Sequence, residues 1–232
     1  QVGGAEVVVV VVAMVGDGLG ERLVDERRES LRPLEIVQPE GDRDFVGVVK
    51  AIERLTHELG VPVIAKETGC GLGADALKKL AKAGVRHVDV SGAGGTSWVA
   101  VETARAEGSS RSLGEAFREW GVPTAASVVM AQKTRPKFKT IIATGGVATG
   151  LDAAKAIALG ADAAGMARPV LQALMNGGRE SAARFLDQVE AELRTAMLLV
   201  GVRRVHQLQD VPLVLGEALI RWVYMSQRRR KK

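Results

Sequence analysis

Apolar residues in this chain come in short runs separated by glycines and by amphipathic stretches, a pattern that predicts strands and helices in turn. Residues 6–14 are mostly valine, whose stiff β-branched side chain favours a strand. A weaker strand is expected near 34–38. Further strands are expected at 61–66, 85–90, 140–143 and 161–165. A helix is expected at 74–82, with Leu77, Leu80 and Ala81 on one face and Gly84 as its stop. Others are expected at 113–120, ended by Gly121, and at 124–132, with Thr124 as N-cap. A helix over 152–159 stops at Gly160, a long one covers 181–200, and a short one covers 215–222.

Such alternation implies a parallel sheet with helical crossovers. The six candidate strands are too few for a closed (β/α)8 TIM barrel, so an incomplete barrel of α/β class is expected. The strands near 62, 86, 140 and 161 should be adjacent, parallel and in chain order. One domain is expected over 1–226, followed by a basic tail at 227–232.

The 232 residues are 47% hydrophobic, enough for a sizeable core. One cysteine excludes an intramolecular disulfide framework and fits a reducing, cytoplasmic setting. His57, His87 and His206 are far apart in sequence and form no ligand-spaced cluster, which argues against zinc. The formal charge of +5 comes from Arg228, Arg229, Arg230, Lys231 and Lys232; the rest of the chain is balanced. No basic stretch interleaved with aromatics points to nucleic acid. Residues 5–15 are apolar but too short to span a bilayer, which takes about 20 residues. No membrane partner and no leader peptide are expected.

The most informative stretch runs from Thr144 to Gly150, between the 140–143 strand and the 152–159 helix. A strand, a Gly145-Gly146 pair and a helix start make an anion cradle. A second strand then ends in Met166-Ala167-Arg168, and two neighbouring strand ends around one anion suit the last units of a barrel. Lys66 ends another strand, where an amine suits an anionic ring or a carbonyl oxygen; the alternative is a surface lysine paired with Glu67. Ser91 and Thr96 place two hydroxyls in the loop after the next strand. Cys70 has no histidine nearby in sequence to activate it and reads as structural. Asp152 reads as a helix-start residue and Asp162 as a loop residue.

Several words are more specific: Ala65-Lys66-Glu67-Thr68-Gly69-Cys70-Gly71, Asp89-Val90-Ser91-Gly92-Ala93-Gly94-Gly95-Thr96-Ser97-Trp98, the run from Gly114 to Thr124, and Gly165-Met166-Ala167-Arg168-Pro169. In order and spacing they resemble the type 2, FMN-dependent isopentenyl-diphosphate isomerases, from about Val37 to Trp222. The resemblance implies interconversion of isopentenyl and dimethylallyl diphosphate, a small-molecule diphosphate substrate, with reduced FMN as an acid–base group. It also implies Mg2+ to neutralise the diphosphate, NADPH as reductant, and a homo-oligomer. By the same resemblance Lys66, Ser91 and Thr96 contact the flavin. Gly145, Gly146 and the backbone of Val147 and Ala148 hold its phosphate, with help from Ala167 and Arg168.

The sequence departs from that pattern in three places. The family carries arginine where this chain has Ala148. Its His-Leu-Asn-x-x-Gln-Glu motif is represented by Ser30-Leu31-Arg32-Pro33-Leu34-Glu35, before Gln38-Pro39-Glu40-Gly41-Asp42. One deletion aligns Glu35 with the magnesium ligand and removes the catalytic Gln, so no catalytic residue is assigned. Residues 1–36 are otherwise divergent, and the family's N-terminal third has no counterpart. Two alternatives stand beside the isomerase reading: an inactive copy with residual FMN-phosphate binding, and another FMN-barrel oxidoreductase. Against the latter, α-hydroxy-acid oxidases carry a catalytic histidine where this chain has Ser91-Gly92-Ala93-Gly94.

Overall fold

The computed structural model describes residues 47–225 other than Pro136. The strands expected at 6–14 and 34–38, Glu35 and the basic tail lie outside the described residues. In chain order the elements are α1 (Val48–Glu58), β1 (Ile64–Lys66), α2 (Ala74–Lys82), β2 (His87–Asp89), α3 (Trp98–Arg105) and α4 (Gly108–Ala116). They continue with α5 (Thr124–Lys133), β3 (Thr140–Ala143), α6 (Gly150–Ala158), β4 (Ala163–Ala164) and α7 (Arg168–Leu199). A 3-10 helix (Val205–Asp210) and α8 (Glu217–Met225) follow.

The four strands form one sheet in the order β1-β2-β3-β4, and every neighbouring pair is parallel, as the crossover rule requires. Lys66 pairs with Asp89, Asp89 with Ile142, and Ala143 with Ala164. This register lines up the carboxyl ends of all four strands, so the loops that follow them leave from one edge.

Burial explains why the strands hold. Ala65, Val88, Val90, Ile141 and Ala143 are buried in one core with Leu77 and Leu80 of α2 and with Ala126, Val128 and Ala131 of α5. Each large apolar side chain so buried contributes roughly 1.5–3 kcal/mol. A smaller cluster joins Ala154 and Ile157 of α6 to Leu208, flanked by Leu193, Ala196 and Met197 of α7.

Three expectations need correction. The helix placed at 113–120 is α4, which begins at Gly108 and ends at Ala116. The helix placed at 181–200 is the second part of α7, whose first part starts at Arg168; the break is at Gly177 and Gly178. Thr124 is not an N-cap: Pro123 occupies that position, and no side chain caps α5. Among the described residues, no helix is long and apolar enough to cross a membrane.

Candidate flavin site

Lys66 and Asp89 end neighbouring strands at paired positions, so their side chains meet. Lys66 Nζ donates to Asp89 Oδ2 at 2.6 Å and to Thr144 Oγ1 at 3.1 Å. Thr144 Oγ1 in turn donates to Asp89 Oδ1 at 2.6 Å. The ammonium is therefore fixed at the strand ends by a nearly buried carboxylate, with side-chain exposures of 29% for Lys66 and 9% for Asp89. The suggested Lys66–Glu67 pair does not form. Glu67 is buried, and its Oε2 accepts the N–H groups of Gly69, Cys70 and Gly71, which folds the loop after β1. Cys70 lies in that loop, its carbonyl accepting the Val122 N–H at 2.7 Å.

The loop after β2 packs on the turn after β3. Ser91 has φ 36° and is the only non-glycine in the left-handed region among the described residues. Its N–H donates to Asp89 Oδ1 at 3.2 Å, and its carbonyl accepts from Gly71. Strained backbone of this kind gathers at ligand sites. Thr96 is half-buried in the same loop, and neither the Ser91 nor the Thr96 hydroxyl is engaged by another described residue.

Gly145 and Gly146 both have positive φ, at 92° and 78°. A Cβ on Gly145 would collide with the Gly92 carbonyl, and one on Gly146 would stand 2.7 Å from the Gly94 carbonyl. The two glycines are thus required by the turn and by the close approach of the neighbouring loop.

Helix α6 uses much of its own N-terminal donor set. Thr149 and Asp152 form a capping box, and Asp152 Oδ2 accepts the N–H groups of Ala148 and Thr149 at 3.2 and 3.1 Å. The Gly150 N–H goes to Glu192 Oε2 at 2.7 Å. Among the described residues, the N–H groups of Gly146 and Val147 donate to nothing. The Ala148 N–H, which the sequence assigns to the phosphate, is already taken. At the same edge α7 begins beyond β4, with Ala167 as its N-cap residue. Arg168 is exposed, and its side chain pairs with no described residue.

Two N–H groups, two hydroxyls and, at a helix start, a guanidinium, none of them engaged among the described residues, line one sheet edge with a fixed ammonium. That donor set fits a flavin phosphate and an anion-stabilising group beside the ring. It offers no comparable metal site: among the described residues, no group of three or more His, Cys, Asp or Glu side chains is placed to hold an ion. His87 lies at the opposite, amino-terminal edge, where Nδ1 meets Thr140 Oγ1 at 2.9 Å. Burial, and secondarily the charge of Lys139, lowers its pKa below the usual value.

Sequence reasoning named Lys66, Ser91, Thr96 and the Gly145-Gly146 turn, but gave Asp89 and Thr144 no role and read Thr124 only as a helix N-cap. Asp89 stood in a quoted motif. Its contact with Lys66 was legible only once the register between β1 and β2 was known.

The description FMN-dependent dehydrogenase matches residues 27–214, and the chain belongs to this family. Mandelate oxidase, at 22% identity and a TM-score of 0.55, covers 72% of this chain and 44% of its own. This likeness concerns the fold, which is of the (β/α)8-barrel type. Within the family, the chain is similar to proteins named isopentenyl-diphosphate delta-isomerase. The relative from Aeropyrum pernix is 46% identical over 183 residues, 78% of this chain and 48% of its own length. That from Methanopyrus kandleri is 43% identical over 190 residues, 82% of this chain and 52% of its own. The resemblance read from the motifs is thereby borne out, and the flavin assignment with it. The chain spans about half the length of the curated relatives it matches.

Proposed function

We propose that this chain forms the flavin-phosphate half of an isopentenyl-diphosphate isomerase. The observation that carries the reading is the paired Gly145-Gly146 turn, with the free N–H groups of Gly146 and Val147, beside the start of α7. FMN phosphate sits at these N–H groups, with Ala167 N–H and Arg168 completing the cradle. Ser91 and Thr96 hydroxyls orient the isoalloxazine ring. Lys66, held by Asp89 and Thr144, sets its ammonium where negative charge collects on the reduced ring.

When bound and reduced, FMN supplies the acid–base chemistry that moves the double bond of isopentenyl diphosphate to give dimethylallyl diphosphate. The protein's part is orientation and charge stabilisation. Magnesium would neutralise the substrate diphosphate, with Glu35 as its protein ligand, and NADPH would serve as the reductant of the flavin. The protein works in the cytoplasm as a homo-oligomer.

The test is turnover of isopentenyl diphosphate with FMN, NADPH and magnesium. The polypeptide is expected to form dimethylallyl diphosphate only with flavin and reductant present. Its rate should fall about 10²-fold or more below a full-length relative, because no glutamine precedes Glu35. FMN binding without product would favour the inactive copy, a reading that the Ser30-Leu31-Arg32-Pro33 sequence supports. Oxidation of a 2-hydroxy acid would contradict the isomerase assignment.

A further inference from the structure

Thr124 stands at the first position of α5, yet its hydroxyl does not serve that helix. No side chain caps the start of α5: Ser127 N–H donates to the Pro123 carbonyl at 2.9 Å, and Thr124 N–H to the Ala93 carbonyl at 3.2 Å. Thr124 Oγ1 instead reaches across to the turn after β3. It lies 2.5 Å from the Gly145 carbonyl and 3.2 Å from that of Thr144. Its Cα packs so closely on Gly92 that a Cβ there would collide with it. The residue is thus wedged between the loop after β2 and the turn after β3.

The peptide unit gives this contact a consequence. The Gly145 carbonyl and the Gly146 N–H belong to one planar trans unit and point in opposite directions. Holding the carbonyl toward Thr124 therefore aims the Gly146 N–H away from it. Gly92 N–H, at 3.0 Å from the Thr144 carbonyl, fixes the preceding peptide unit in the same way. Gly145 and Gly146 are two residues free to rotate in both hands of φ/ψ space, so without such anchors this turn has several accessible orientations.

We infer that Thr124 is a positioning residue for the phosphate turn, presetting the Gly146 N–H for an anion by holding the Gly145 carbonyl on the other side. The inference rests on the reading of that turn as the flavin-phosphate site. It assigns Thr124 no contact with the flavin.

The test compares Thr124→Val, which keeps the shape and removes the hydroxyl, with Thr124→Ser, which restores it. FMN and riboflavin affinities are measured by flavin fluorescence quenching. Amide exchange of residues 144–149 is followed without flavin, and thermal midpoints are recorded for all variants. Thr124→Val should weaken FMN about 3- to 10-fold, the worth of one hydrogen bond, and leave riboflavin affinity unchanged. Its Gly146 amide should exchange faster, and Thr124→Ser should restore the parent values. Thr124→Ala carries the same comparison if the valine variant does not fold.

Unchanged FMN affinity in Thr124→Val would overturn the inference. So would equal losses of FMN and riboflavin with a lowered thermal midpoint, since that is the mark of a merely structural residue. If the parent chain binds riboflavin as well as FMN, or neither, the phosphate-site reading itself fails and the inference falls with it.

Discussion

Replacing Gly146 with valine is expected to abolish measurable FMN binding. Gly146 has φ 78°, and its Cβ position lies 2.7 Å from the Gly94 carbonyl and 2.8 Å from its carbonyl carbon. A β-branched side chain is strained at this φ whatever the space around it. Here it also meets backbone, which has no rotamer with which to give way. The turn must move, and the Gly146 and Val147 N–H groups move with it. Each hydrogen bond to a charged group is worth about 1.5–3 kcal/mol. Losing two costs about 3–6 kcal/mol, or about 10²- to 10⁴-fold in affinity. The space that a Cβ on Gly146 would need is filled by the neighbouring loop at Gly94. Gly178→Val provides the control: its φ is 66° with open space around it. It should lower the thermal midpoint and leave FMN affinity unchanged. Fluorescence titration of both variants checks the pair.

Replacing Lys66 with methionine should destabilise the fold by about 2–3 kcal/mol. Removing one partner of a buried ion pair costs about 3–5 kcal/mol, because the other charge is left unpaired. The partial exposure of Lys66 moderates that figure. Asp89 would retain only the Thr144 hydroxyl and the Ser91 N–H as partners. Adding Asp89→Asn removes the stranded charge and keeps an acceptor, so the double variant should recover at least half of the loss in urea denaturation. If the double variant is no better than Lys66→Met alone, Lys66 acts through packing rather than through the pair. Neither variant should recover parental flavin affinity, because the ammonium that the proposed function sets beside the ring is gone in both.

What the sequence disclosed, and what it concealed, follows from where the information lies. β3 and α2 were read to the residue, because Gly84 and the apolar run 140–143 punctuate them locally. The order of the four strands followed from the βα alternation together with the right-handed crossover rule. Helix α4 was misplaced because Gly108, Ser109 and Ser110 are poor helix formers and read as loop. Helix α3 went unread because Trp98 to Arg105 follows directly on the glycine-rich motif. Thr124 carried the local signature of a cap, yet its hydroxyl was claimed by a carbonyl 21 residues away. The Lys66–Asp89–Thr144 network spans three strands and exists only in register. Motifs thus revealed which residues gather at the site, and the sheet revealed how they hold one another.

The most direct measurement is the affinity of the purified chain for FMN against riboflavin, which differs from FMN only in lacking the phosphate. The account predicts that FMN binds at least about 10-fold more tightly, since on the proposed reading two backbone N–H groups and Arg168 meet the phosphate. It also predicts that inorganic phosphate weakens FMN binding and leaves riboflavin binding unchanged. Equal affinity for the two flavins, or no binding of either, would contradict it.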